Sequence, residues 1–174
     1  MRDDVDDYAL LVGWRSASHV AEWWDTAQTE LGLDGVIAKY RSRTVSDDPT
    51  TACIIEVADL PIGYIQYYPW AAYEDEMREI GFHLPIGYWG VDIFIGERDY
   101  LDRGFGSRAV SLVHRYLIGE RQAIGVALVV ARENARAQRA YEKAGLVRVS
   151  EVLDTDTRGG KRIPSYLMAS PPPP

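Results

Sequence analysis

The segment Gly125–Ala131, GVALVVA, carries no polar side chain at any position. A strand with one wet face alternates apolar and polar residues, because successive side chains point to opposite sides. This run does not alternate, so it suits a central strand covered on both faces. That requirement points to a layered architecture in which helices lie against a sheet. Apolar residues make up 47% of the 174-residue chain, enough for one sizeable core, while a second would be crowded.

The neighbouring sequence supplies the other layers. VDIFIG reads as a short strand, and from Ser107 to Leu117 the residues Ala109, Leu112, Val113, Tyr116 and Leu117 fall at helical spacing on one side. NARAQRAYEKAG starts a helix at Asn134 and stops it at Gly145. Upstream, TACIIEV and IGYIQYY, separated by ADLP, predict two antiparallel strands. Tyr64, Gln66 and Tyr68 share one face of the second, Ile65 and Tyr67 the other. DDYALLVGWR predicts a short helix, SHVAEWWD follows with Ser18 as candidate N-cap, and Thr26 to Arg43 is helical in composition apart from Gly32 and Gly35. Pro69 to Trp89 is expected to be irregular. LVRVSEVL and PSYLMA flank the turn DTDTRGGKR and predict a closing hairpin. The expectation is one mixed α/β domain over residues 1–170, with about six or seven strands, and a loose proline tail over 171–174.

Composition narrows the partners. A net charge of −7 argues against a nucleic-acid binder, which needs a basic stripe, and favours cationic ligands. Cys53 is the only cysteine, so no intrachain disulfide forms; mid-strand and without a histidine motif, it reads as structural. His19, His83 and His114 lack ligand spacing, so no metal is expected. Met1 to Asp7 is acidic where a secretory signal is basic and then apolar, and no apolar run is long enough for a bilayer. A cytoplasmic location without membrane contact is expected.

LDRGFGSRAV, Leu101 to Val110, joins a strand to a helix through two glycines. Gly104 and Gly106 permit positive φ and close backbone approach, and the orphan N–H groups of the helix start point at an anion. Arg103 and Arg108 can add charge-assisted bonds. The loop lacks a Walker lysine–serine ending and the dinucleotide-fingerprint spacing. Taken alone it is equally an anion site or a plain helix cap.

A second motif, NARAQRAYEKAGL, follows one helix and one strand later. The pair, in this order around a strand, resembles the GCN5-related N-acetyltransferases, whose pattern is a glycine loop before a helix and then an Asn, Ala, Tyr-Glu-Lys and Gly series. More narrowly, SHVAEWWD, PIGYIQYY and GVDIFIG are similar to segments of the aminoglycoside 6'-N-acetyltransferases. The resemblance runs from about Trp14 to Leu146.

That resemblance implies the GNAT fold, with acetyl-CoA lying between two splayed parallel strands. Arg103, Gly104, Phe105, Gly106 and Ser107 would bind the pyrophosphate of coenzyme A, Phe94 and Ile95 the pantetheine arm through main-chain bonds, and Asn134 would also contact the cofactor. Tyr141 would protonate the leaving thiolate. Asp92 matches the family's acid–base, a role a positioned carboxylate can fill by taking a proton from the amine. Direct transfer in a ternary complex is expected. The chain departs from the family at Val129 to Arg132, where relatives carry an acidic Asp-Pro pair, at Leu101, where Arg or Gln is common, and before the first helix, where a strand is usual.

The acceptor is expected to be a cationic amine, an aminoglycoside first, in a monomer or homodimer. Glu74, Asp75, Glu76 and Glu79 would form an acidic rim or simply a solvated loop. Trp23 and Trp24 would divide between the core and stacking on a sugar; Tyr68 would face the acceptor or pack. Acetylation of a siderophore, polyamine or protein amine, and a non-catalytic acyl-CoA-binding sensor, remain open alternatives.

Overall fold

The computed structural model describes residues 1–24, 32–45, 48–155 and 161–171. Along the chain run helices α1 (Val5–Ser16), α2 (Ser18–Ala21) and α3 (Leu33–Tyr40), with a helical turn over Arg41–Arg43. Strands β1 (Thr51–Val57) and β2 (Leu60–Pro69) lead through a turn at Trp70–Tyr73 to α4 (Glu74–Ile80) and β3 (Tyr88–Ile95). Then come α5 (Phe105–Arg121), β4 (Gly125–Ala131), α6 (Ala135–Lys143), β5 (Val147–Thr155) and β6 (Arg162–Ala169). The six strands form one mixed sheet in the order β1-β2-β3-β4-β6-β5. β3 and β4 are its parallel pair, and the other neighbours are antiparallel.

The apolar run becomes β4, buried between β3 and β6 with helices on both sides. On one face α5 and α6 bring Val110, Leu117 and Tyr141 onto Ile65, Tyr67, Val91 and Leu128. On the other, α1 to α3 pack Tyr8, Leu11, Trp14, Val36 and Tyr40 against Tyr64 and Phe94. α4 covers the rest of that face with Met77 and Ile80 against Tyr68, Trp70 and Leu167. β2 alternates accordingly, with Tyr64 and Tyr68 facing one layer and Ile65 and Tyr67 the other.

Local signals explain the helix ends. The Asp4 carboxylate accepts from the Asp7 N–H at 2.9 Å and caps α1, with Asp6 and Asp7 in its first turn. Asn134 Oδ1 accepts from the Ala137 N–H at 3.1 Å and caps α6. Gly145, at φ +93°, takes the left-handed conformation that ends that helix.

Several expectations need correction. Ser18 is the first residue of α2 and not its cap, which is Ala17. The acidic stretch after Tyr73 is helical, because Met77 and Ile80 give it a face to bury. Leu112 is 58% exposed; the stripe of α5 that meets the sheet is Ala109, Val110, Val113 and Leu117, with the half-exposed Tyr116 ring at its edge 5.9 Å from Tyr67. α3 runs through Gly35 and starts after Gly32. Residues 25–31, the turn residues 156–160 and the tail residues 172–174 lie outside the described residues. Among the described residues no strand precedes α1, and the Met1 ammonium donates to Ala52 O on β1 at 3.1 Å. Also among them, no helix is long and apolar enough to cross a membrane.

Candidate active site

The parallel strands part early. β3 and β4 pair only over Tyr88–Gly90 and Gly125–Ala127, after which β3 follows β2 and β4 follows β6. Between the diverging ends lies a cleft of about 580 Å³. Its walls hold main-chain groups without a strand partner. Gly63 stands opposite Ile95, and the Gly96 N–H donates to Ile62 O at 2.8 Å, so Gly63 and Ile95 form a non-hydrogen-bonded pair. In that arrangement Ile93 and Ile95 turn their N–H and C=O toward the cleft, whereas Phe94 turns its own toward Tyr64 on β2. Of the two residues assigned to the pantetheine arm, Ile95 therefore offers its main chain and Phe94 offers only its ring. That ring packs against Trp24 at 4.8 Å and stacks on Tyr64 at 5.5 Å. The Ile95 carbonyl is already met by His19 Nε2 at 3.1 Å.

At the far end the glycine loop opens α5. Gly104 sits at the N-cap position with φ +81°, a conformation costly for any residue with a Cβ. Gly104 O accepts from Ser107 Oγ at 2.9 Å and from the Arg108 N–H at 3.1 Å. The N–H groups of Phe105, Gly106 and Ser107 belong to the first turn and have no intrahelical acceptor. These residues and Asn134 line the cleft. Arg103 does not: its guanidinium lies over the rings of Tyr100 and Phe105 at 5.3 and 5.5 Å. The cationic side chains that do line this end are Arg136, Arg139 and Lys143, from α6. Their spacing of three and four residues places them on one helix face, a signal present in NARAQRAYEK and not taken up in the sequence reading.

In the middle stand Asp92 and Tyr141, which reach the cleft from opposite faces of the sheet. Asp92 alternates with Val91 on β3 and faces Gln66 on β2, whose Nε2–H donates to Asp92 Oδ2 at 2.7 Å. Gln66 Oε1 in turn accepts from Arg43 Nη1 and from Tyr64 Oη, each at 2.8 Å. Burial pushes the Asp92 carboxyl above its ordinary range and Asp154 adds to this, while the Gln66 bond, Arg43 and Tyr68 pull it back. Tyr141 comes from the α5/α6 layer. Burial, and then the nearby charge of Asp92, drive its phenol well above the usual range, so it stays protonated at neutral pH.

Beyond Asp92 the cleft continues under the helices of the other face. Trp23 and Trp24 both line it, and Trp24 is also tied into the core by its contacts with Tyr64 and Phe94. Tyr68 lines the cleft from a buried position. Of the acidic stretch only Glu76 reaches the cleft. Glu74, Asp75 and Glu79 are exposed and do not line it, with Asp75 paired to Arg78 at 2.5 Å. A carboxylate that the sequence reading did not single out, Asp154 near the end of β5, lines the same region. Loss of hydration, then Asp92, Asp154 and Glu79, push Glu76 up, and burial pushes Asp154 up. Cys53 lies off the cleft, packed on the core, with burial raising its thiol pKa. Among the described residues no group of three or more His, Cys, Asp or Glu is placed to hold a metal ion.

Such a site can accept a long anionic-headed cofactor at one end and a cation at the other, with a base and an acid between them. Comparison with known proteins agrees. A family model described as "Acetyltransferase (GNAT) domain" matches residues 3–153. Aminoglycoside N(6')-acetyltransferase type 1 of Klebsiella pneumoniae is 28% identical over 150 residues, covering 86% of this chain and 74% of that protein. Its counterpart from Serratia marcescens matches to the same extent. Among solved structures, aminoglycoside acetyltransferase AAC(6')-Ib in complex with ribostamycin and coenzyme A superposes with a TM-score of 0.83 at 26% identity, over 98% of this chain and 89% of that one.

Proposed function

Because the chain belongs to the GNAT acetyltransferase family, we propose that it transfers the acetyl group of acetyl-CoA to an amine, and that its acceptor is the 6'-amino group of an aminoglycoside. The cofactor fits the cleft on this chain's own groups. The main-chain edge at Ile93 and Ile95, which has no strand partner on the cleft side, suits an amide-bearing arm, and the first-turn N–H groups after Gly104 suit a pyrophosphate. Arg136, Arg139 and Lys143 add positive charge at that end. When bound, acetyl-CoA supplies a thioester carbonyl for the amine to attack.

The side chains divide the proton work. Asp92, with Oδ2 held by Gln66, orients the acceptor as its free amine, the ammonium having first lost one proton to solvent, and takes the second proton from the nitrogen as the new C–N bond forms. Tyr141, kept protonated by burial, donates its proton to the thiolate released when the C–S bond breaks. The two approach the gap between β3 and β4 from opposite faces of the sheet, an arrangement for direct transfer without an acyl-enzyme.

The observation that carries the choice of acceptor is the convergence of Asp92, Glu76 and Asp154 in one part of the cleft, which Trp23 also lines. A single ammonium does not need three carboxylates; a sugar with several ammonium groups and an apolar ring face does. Asp154 also supplies an acidic contact where the Asp-Pro pair after β4 is missing. The likeness to 6'-acetyltransferases at 28% identity supports the same reading. Purified protein with acetyl-CoA and kanamycin or tobramycin should release free CoA thiol, and substrates lacking a 6'-amine should release none. Turnover of a polyamine or a protein amine with no aminoglycoside turnover would replace this acceptor. Acetyl-CoA binding without turnover of any amine would make the chain a sensor.

A further inference from the structure

We propose that Arg43, acting through Gln66, is the device that orients the Asp92 carboxylate and holds it in its charged form. The proposal rests on the reading of Asp92 as the base and adds two positioning residues to it.

A glutamine amide can present either end to a neighbour, and what fixes its direction must be found among its contacts. Gln66 Oε1 receives Arg43 Nη1 at 2.8 Å and Tyr64 Oη at 2.8 Å. Arginine has donors only, so a flipped amide would set N–H against N–H. Gln66 is 8% exposed, which leaves little water to absorb such a mismatch. Its Nε2 is therefore directed at Asp92, and the 2.7 Å bond fixes Oδ2. The order is guanidinium, amide, carboxylate: a cation polarises the amide whose N–H then favours the anionic form of Asp92.

The other groups facing Asp92 show why a cation is needed there. β2 contributes Gln66 and Tyr68, α4 contributes Glu76, β5 contributes Asp154, α6 contributes Tyr141, and the turn after α3 contributes Arg43. Burial and Asp154 both favour a protonated carboxyl, and Arg43 is the cation that opposes them. Tyr64 cannot take over this role, since burial keeps its phenol neutral. Arg43 is itself held in place, lying over the Tyr40 ring at 5.1 Å with its Nε 3.9 Å from Asp48.

The test uses the full-length protein, and Arg43→Met, Arg43→Lys and Gln66→Leu. The carboxyl ¹³C resonance of Asp92 is titrated by NMR, and kcat/KM is measured against pH with an amine that turns over. Arg43→Met should move the NMR midpoint and the acid limb of the rate profile upward together, by about one pH unit. Arg43→Lys, which keeps the charge, should move them less. Gln66→Leu should lower kcat roughly tenfold while leaving the KM for acetyl-CoA unchanged. An unmoved midpoint in both Arg43→Met and Gln66→Leu overturns the proposal, as does an effect confined to the KM of the acceptor. If Arg43→Met does not fold, Gln66→Leu decides the matter by the same titration. A wild-type protein that acetylates no amine overturns the activity reading alone, because the titration still reports on Arg43 and Gln66.

Discussion

Gly90 lies directly beneath the ring of Tyr68: a Cβ built on Gly90 would stand 2.3 Å from Tyr68 Cε2 and 2.4 Å from its Cζ. Gly90 is also the last residue of β3 that pairs with β4. The ring thus lies flat on the sheet where the parallel strands begin to part, and its hydroxyl reaches Asp92. Gly90→Ala must push the ring aside or the strands apart. We expect a loss of about 1–3 kcal/mol in stability from overpacking, together with a fall in kcat, read by thermal melting and by CoA release. A variant with wild-type stability and rate would show that Tyr68 has room to move and no part in placing Asp92.

Asp92→Asn keeps the size of the side chain and removes its charge. Positioned proton transfer contributes about 10²- to 10⁴-fold, so kcat should fall by at least about 100-fold, with acetyl-CoA affinity by calorimetry unchanged. Gln66 Nε2 would then face an amide, whose oxygen can still accept, so the fold should persist. Retention of most of the activity would assign the base elsewhere.

The two glycines of the loop should behave differently. An alanine at Gly106 meets only Ile95 Cγ1 at 4.0 Å and should be tolerated, whereas Gly104, at φ +81°, is strained by any side chain. Gly106→Trp should raise the KM for acetyl-CoA roughly tenfold or more by covering the first-turn N–H groups, and raise that for the amine much less. The opposite pattern would return the loop to a plain helix cap.

What could be read before folding was whatever local chemistry dictates. GVALVVA had to be buried on both faces, because an unbroken apolar run has no other cover, and it became β4. Asn134 and Gly145 announced the ends of α6. Helical spacing was less reliable for α5: it grouped Leu112 with Ala109, Val113 and Leu117, yet Leu112 is exposed and Val110 takes the buried place. Proximity in sequence misled about the acidic stretch, of which only Glu76 points into the cleft, since Met77 and Ile80 decide which side of α4 is buried. Asp154 and Arg43 were invisible for a different reason. They come from β5 and from the turn after α3, and only the tertiary fold brings them beside Asp92.

The clustering of Glu76, Asp92 and Asp154 sets a trade between stability and binding. All three carboxyls are raised above their ordinary range in the folded protein, by burial or loss of hydration first; Asp92 and Asp154 then add to the shift of Glu76, Asp154 to that of Asp92, and Glu79 to that of Asp154. A group whose folded pKa exceeds its unfolded value binds more protons when native, so its ionisation costs stability as pH rises from the ordinary carboxylate range through the folded value. Asp7 and Asp48 shift the opposite way, and their contribution is lost only as pH falls below that range. As pH rises above the ordinary carboxylate range the acidic cluster should therefore weaken the empty protein. A polycationic acceptor relieves that repulsion, so at equal saturation kanamycin should raise Tm by more at pH 7 than at pH 5. The double variant Glu76→Gln/Asp154→Asn should melt higher than the wild type at pH 7 without ligand and gain little from kanamycin. Equal ligand-induced shifts at the two pH values, with the double variant still stabilised by the drug, would mean that these carboxylates do not meet the acceptor.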